Sequence, residues 1–343
     1  MLKRFFLLIN ILLLAHQTRA NENVFSREIT PVGARVVIAS APDATIAFQS
    51  QPEKVRSLVN RGLLQLTGKT NAALAWRTFV STNDVVGIKV YSAPGANSGT
   101  RPDVVGAVIE GLLSAGVPTN KIVIWDKEFI HLRLAGFVDL AERHKVKVAA
   151  SSSSGYDENT FYERELIGNL IWGDAEFGKE GSAVGRKSFV TKLIVKEITK
   201  IISVVPLLNH NLAGTTGHVC SLGFGSVDNT KRFEQPGVLA RALPEIYAME
   251  SLGDKVVLNI TDALVCQYQG EQRSLLHYSA PMNEIWFSKD PVALDVLAIQ
   301  ELHRQREIAQ VPKNNLSMEI YEIAALLELG VNELKSIRIE RTP

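Results

Sequence analysis

Asp84-Val-Val-Gly-Ile-Lys-Val90, Lys121-Ile-Val-Ile-Trp-Asp126 and Val146-Lys-Val-Ala-Ala150 are three short, mostly apolar runs bounded by turn residues. Between the first two, Pro102 and Asp103 open a segment whose apolar stripe is Val104, Val105, Val108, Leu112 and Leu113, and which stops at Gly116 and Pro118. Proline is tolerated in a first helical turn, aspartate suits its positive end, and glycine suits the position after the last turn. Between the second and third runs lie a short helix to Ala135 and a helical turn over 138–144. Strand, helix, strand, helix, strand at this spacing is a βαβαβ unit with parallel pairing and right-handed crossovers. The expected fold class is α/β: a mostly parallel sheet with helices on both faces, built on that unit, in one body or two lobes.

Reading outward, residues 84–200 form the βαβαβ lobe, with a glycine-rich, lid-like excursion over 151–188 that begins in a flexible serine run, Ser151 to Gly155. Residues 189–200 mix strand and helix signals. Residues 21–83 read as an N-terminal arm, a strand over 35–39 and helices over 52–66 and 72–79. Residues 201–343 read as a second α/β half on the same or an adjacent sheet. Its strands are expected over 201–205, 256–260, 284–287 and 336–339, and its helices over 237–249, from Pro291 onward and over 320–329.

Of the 343 residues, 46% are hydrophobic and 21% charged, which excludes a disordered chain, a collagen-like repeat and a disulfide-dense miniprotein. Lys3 and Arg4 precede an apolar run over 5–15, and Thr18-Arg19-Ala20 supplies small residues at a cleavage position. This is the layout of a secretory signal peptide over 1–20; an uncleaved anchor is the alternative. Cleavage removes three basic residues and no acid, so the formal charge moves from +1 to −2. A near-neutral chain has no field to gather nucleic acid, so nucleic acid is set aside as a partner. No later stretch is long and apolar enough to span a bilayer, which needs about 20 apolar residues. The mature chain is expected in a periplasm or secreted. Cys220 and Cys266 are the only cysteines. They read as free thiols, with a Cys220–Cys266 disulfide as the alternative in an oxidising compartment, and two cysteines cannot hold a four-cysteine iron–sulfur cluster.

Ligands of open parallel sheets sit outside the strands' carboxyl ends. Those ends carry Lys89 to Ser92, Asp126, Asn209-His210, Asp262 and Asp290. Lys89, inside an apolar strand, either snorkels its amine to the rim or meets an acid. His210 can serve as base, anion donor or metal ligand. Lys89, His210 and Asp262 are the candidate catalytic set. Asp126, Asn209, Thr215 and Thr216 join them as ligand-binding candidates. Aspartates there also make good helix caps, Asp290 above all. The loop from Ser92 to Pro102 precedes a helix amino terminus, where backbone amides with Thr100 and Arg101 suit a carboxylate or phosphate. Gly223 and Gly225 with Asp228, Lys231 and Arg232 form a second candidate anion rim. The expected partner is a small anionic molecule. No spacing identifies a metal or cofactor, and metal binding stays open.

The ordered motifs resemble the domain of unknown function 362 family. They are the run from Asp84 to Val90; Arg101-Pro-Asp-Val-Val105 with its helix; Ile122-Val-Ile-Trp-Asp126; Ile202-Ser-Val-Val-Pro-Leu-Leu-Asn-His210 through Thr216; Leu258-Asn-Ile-Thr-Asp262; and Ser288-Lys-Asp290-Pro-Val-Ala-Leu-Asp295. The resemblance spans roughly 80–300. Some relatives carry ferredoxin-like cysteine clusters, absent here. Relatives also carry Lys-Asn where Cys220-Ser221 stand, so a ligand role of that lysine is lost or altered in this chain. Thr100-Arg101-Pro102 and its helix show a fainter similarity to the N-terminal half of the lactate racemase family. Three functional readings follow: an exported enzyme acting on a small anion, a non-catalytic binding or accessory protein of the envelope, and a scaffold.

Overall fold

The computed structural model describes residues 33–169, 184–234, 236–312 and 317–342. The signal-peptide reading and most of the N-terminal arm lie outside the described residues. In chain order the elements are β1 (Ala34–Ser40), β2 (Thr45–Ile46), β3 (Gln49–Ser50), α1 (Pro52–Thr67), α2 (Ala72–Trp76) and β4 (Val86–Val90). Next come α3 (Pro102–Ser114), β5 (Ile122–Asp126), α4 (Phe129–Leu134), α5 (Phe137–His144), β6 (Lys147–Ala150) and α6 (Ser151–Ser154). The hairpin β7 (Tyr156–Asn169) and β8 (Val184–Thr191) leads to β9 (Lys200–His210), β10 (Gly214–Thr215), α7 (His218–Ser226) and α8 (Pro236–Tyr247). The chain closes with β11 (Val256–Gln267), β12 (Ser279–Ser288), α9 (Pro291–Ile308), α10 (Glu319–Leu326) and β13 (Ile337–Thr342).

The main sheet runs β13-β1-β12-β11-β9-β4-β5-β6, with β10 paired to the end of β9. Along that path every pairing is parallel except the two made by β12. Strands from 84–150 and from 201–343 therefore share one sheet.

Alternation along each strand divides its side chains between two faces. Val86, Ile88, Val90, Ile122, Ile124, Ile202, Val204, Leu258, Ile260, Ile285 and Phe287 pack under α1 to α5. On the other face, Val123, Trp125 and Ile201 pack against α7, α8 and α10, while Val36, Ile38, Leu207 and Trp286 pack against α9. Each fully buried branched or aromatic side chain contributes about 1.5–3 kcal/mol.

Several expectations are corrected. The serine run forms the short helix α6, where fully buried Ser151 donates to the Gly225 carbonyl at 2.7 Å. Part of the excursion after it is the β7–β8 hairpin, whose ladder satisfies backbone groups that the irregular composition did not assign to strands. The strand expected to end at Ile260 continues to Gln267, because β12 supplies a second ladder, Cys266 opposite Ala280 and Gln267 opposite Ser279. Since β12 runs antiparallel to its neighbours, Asp290 falls on the opposite rim from the ends of β4, β5 and β9. There its side chain caps α9 by accepting the Ala293 N–H at 2.8 Å.

Candidate functional site

The connections from β4 outward to β5 and β6 run over one face, through α3, α4 and α5. The connection from β9 to β11 runs over the other, through α7 and α8. The sheet therefore has a topological switch point between β4 and β9, and the crevice outside their carboxyl ends is where ligands of such sheets bind. A cleft of about 320 Å³ lies there. Tyr91, directly after β4, Lys127, directly after β5, and His210, the last residue of β9, line it together with Cys220 and Phe224 from α7. Leu212, Thr230, Lys231, Glu234, Glu271 and Gln272 complete the wall. A larger groove of about 590 Å³ lies between β12 and α9. It is remote from the switch point, and its Glu284–Arg341 and Glu301–Arg304 pairs, 2.8 and 2.7 Å, are closed within the protein.

His210 sits in a tight β9–β10 turn, with Gly214 opposite it in the ladder. Its Nδ1 accepts the backbone N–H groups of Leu212 at 3.3 Å and Ala213 at 3.1 Å. Its ring stacks on Phe224, centroids 6.2 Å apart. Burial lowers its pKa against the opposing pull of Glu271 and Glu234, so the ring is neutral at neutral pH. Burial also pushes the Cys220 thiol and the Tyr91 phenol well up, which keeps both protonated and makes Cys220 a poor nucleophile. Cys220 and Cys266 are both free.

Lys89 and Asp262 do not reach this cleft. Lys89 shares a face with its ladder partners Trp125 and Ser203, whereas Asp262 shares the opposite face with Ile285. Three hydrogen bonds hold the fully buried Lys89 ammonium: Asp126 Oδ1 at 2.9 Å, Ser221 Oγ at 2.9 Å and the Val90 carbonyl at 2.7 Å. A β-carbon on Gly225 would overlap Lys89 Cε, so glycine there admits the lysine stem. Asp126 also accepts the Ser92 N–H and hydroxyl and the Lys127 N–H. Burial pushes its carboxyl up, but the Lys89 charge and these bonds outweigh that and hold it below the ordinary range. Each side-chain partner of Lys89 adjoins a cleft residue in sequence: Asp126 precedes Lys127, and Ser221 follows Cys220. The ion pair thus ties together the strand and helix segments that carry the cleft.

Asp262 occupies the place at the amino end of α3 where the sequence suggested an external anion. Its carboxylate accepts the Arg101 N–H at 2.9 Å and the guanidinium at 3.2 Å. Thr100 donates to the Val204 carbonyl and accepts the Tyr91 N–H. Asn209 accepts the Glu271 N–H. Thr215 and Thr216 donate to backbone carbonyls of β9. Of the expected site residues, His210 alone lines the cleft; the others brace it or the sheet. In the second expected rim only Lys231 lines it, since Arg232 is buried against Ser188 and the Tyr162 carbonyl, and Asp228 accepts the Phe189 N–H. Tyr91 lies inside the strand-end stretch from Lys89 to Ser92 without a chemical signal of its own, and Lys127 lies one residue past Asp126, where extending the strand-end rule by one position finds it.

The sequence reading also missed a sealed polar cluster under α7. The two ring nitrogens of His218 meet Ser203 Oγ at 2.8 Å and Thr261 Oγ1 at 3.1 Å. Burial drives the His218 pKa down to about 3, so the ring is neutral. Asp295 caps α7 through the His218 and Val219 N–H groups, and burial lifts its carboxyl to about 7 despite those bonds. At position 217 only glycine clears the Asp295 carboxylate. These side chains are at most 2% exposed, and they pin the helix that carries Cys220 and Phe224. Among the described residues, no three His, Cys, Asp or Glu side chains converge to hold a metal, and no helix is long and apolar enough to cross a membrane.

No curated protein matches the chain. A crystal structure of a Thermotoga maritima protein is similar at 14% identity and a TM-score of 0.37, over 76% of this chain. The chain spans 60% of the length of that protein. The family model described as domain of unknown function DUF362 matches residues 86–300, more than half of the sequence, and the chain belongs to that family.

Proposed function

We propose that the protein binds a small organic acid in the cleft at the β4–β9 switch point, as a binding protein rather than an acid–base enzyme. The observation that carries this reading is the convergence of Tyr91, Lys127 and His210 at three parallel strand ends around one concave wall. Leu212, Phe224 and the neutral Cys220 and Tyr91 offer an apolar floor. The polar wall favours an acceptor ligand. Glu234 already takes Lys231 at 2.6 Å, and Glu271 takes the Asn211 N–H at 2.5 Å. An ammonium carries three protons, so Lys231 keeps donors beyond that single bond. A cleft of about 320 Å³ is within the size range of small-molecule sites. Against acid–base catalysis, His210 shows no hydrogen bond to a carboxylate among the described residues, and its Nδ1 is committed to the turn.

Calorimetric titration of the protein with benzoate tests the reading, with binding expected in the micromolar to millimolar range and a tenfold or greater loss in Lys127→Met. No heat from benzoate or from a panel of small carboxylates at millimolar concentration would reject it.

We further propose export, on the basic start, short apolar run and small-residue exit over 1–20. Intact-mass analysis of protein from the native envelope should then show a chain beginning at Asn21; a membrane-bound chain that retains Met1 would replace cleavage with anchoring.

A further inference from the structure

We infer that His210 is held as the Nε2–H tautomer and works as a fixed hydrogen-bond donor to a ligand oxygen, which selects the cleft's ligand by its acceptor. The inference rests on the small-acid reading above and adds the residue that discriminates among ligands.

A backbone N–H can only donate. The two that meet Nδ1, from Leu212 and Ala213, therefore require a lone pair there. A neutral imidazole with an unprotonated Nδ1 carries its proton on Nε2. The stack on Phe224 restrains rotation of the ring, and Phe224 is itself backed by Phe233 at 5.8 Å. Among the described residues Nε2 has no protein hydrogen-bond partner, and the residue lines the cleft. The turn thus chooses the tautomer, and the tautomer sets what the cleft can recognise. A carboxylate or carbonyl oxygen completes the Nε2–H bond, whereas an ammonium or amide N–H placed there meets a like donor. Proton abstraction by Nε2 would need the proton moved to Nδ1, against both backbone donors. The ionisable groups around the ring are Glu271, Glu234, Lys127, Lys231, Cys220 and Tyr91.

Two variants separate the ring's roles. His210→Asn keeps an oxygen near the Nδ1 position and removes the distal donor. His210→Gln places an amide N–H near the Nε2 position. In the full chain labelled with 15N-histidine, the resonance lost in H210N should show the proton on Nε2 in the wild type. Benzoate should bind H210N about tenfold more weakly, the worth of one hydrogen bond to a charged acceptor, and H210Q within about threefold of wild type. A proton on Nδ1 would overturn the inference, as would equal benzoate binding by H210N and wild type. If wild type binds no small carboxylate, the cleft reading falls and the donor role falls with it. Equal binding by folded wild type and H210N removes the donor role alone.

Discussion

Lys89→Met should lower the free energy of unfolding by about 3–5 kcal/mol, the usual consequence of removing one partner of a buried ion pair. Methionine fills much of the lysine stem's volume, so the loss reports the ammonium rather than a cavity. What remains is Asp126, 6% exposed, with three donors where it had four. Replacing both partners, as in Lys89→Met with Asp126→Asn, should recover part of the loss, because no uncompensated charge stays buried. The pH dependence is signed. The Asp126 carboxyl lies below its ordinary value in the folded protein, so its contribution is present above about pH 4, where the unfolded carboxyl is also ionised. It is lost as pH falls through the folded pKa, and the gap between wild type and K89M should narrow there. Urea unfolding at neutral and acidic pH measures both effects. A loss below about 1 kcal/mol at neutral pH, the worth of an exposed pair, would show that the burial and bonding of Lys89 are not as described.

Arg101→Met should cost about 3–4 kcal/mol by the same mechanism on the other face of the sheet. Asp262 is fully buried and would keep only the N–H groups of Arg101 and Leu264. The Asn97 carbonyl, now held by the guanidinium at 2.9 Å, would lose its donor as well. The positive end of α3 offsets part of the deficit, since a carboxylate at a helix amino terminus is stabilised by up to about 2 kcal/mol in a buried setting. Arg101→Lys keeps the charge but cannot reproduce the guanidinium's two-sided grip, so an intermediate loss is expected. Lys89 and Arg101 share no partner and lie on opposite faces, so the two losses should add to within about 0.5 kcal/mol in the double variant. Denaturant titration of single and double variants checks this. Strong non-additivity would mean that the two pairs communicate through the loop that Ser92 and Thr100 anchor.

The legible part of this protein is its local grammar. Pro102 with Asp103 opens α3, Gly68 stops α1, and the runs ending at Val90, Asp126 and Ala150 are parallel strands one helical crossover apart. A lysine inside an apolar strand either snorkels or meets an acid, and Lys89 meets Asp126. Asp290, an aspartate directly before a helix-opening proline, caps α9. The candidate site was legible only at His210 and in the neighbourhood of Lys231. Tyr91 and Lys127 are marked only by their places at strand ends, and Phe224 and Glu271 carry no local signal that distinguishes a cleft wall from a loop.

The sequence by itself determined the α/β class, the order of strands and helices through the βαβαβ unit, and the strand ends where polar side chains gather. Those features depend on periodicity, caps and breakers, which act within a turn or two of helix or a few residues of strand. Tertiary structure alone decided which of the polar residues meet. Lys89 finds Ser221 across 132 positions and Arg101 finds Asp262 across 161. The extension of β11 past Asp262 and the reversal of β12 depend on ladder partners supplied from elsewhere in the chain. The division of Lys89 and Asp262 between opposite faces follows from strand register, where a shift of one residue exchanges the faces. A pattern read along the chain identifies residues suited to a site, while sheet register and direction determine that His210 reaches the cleft and Lys89 and Asp262 are sealed beneath and behind it.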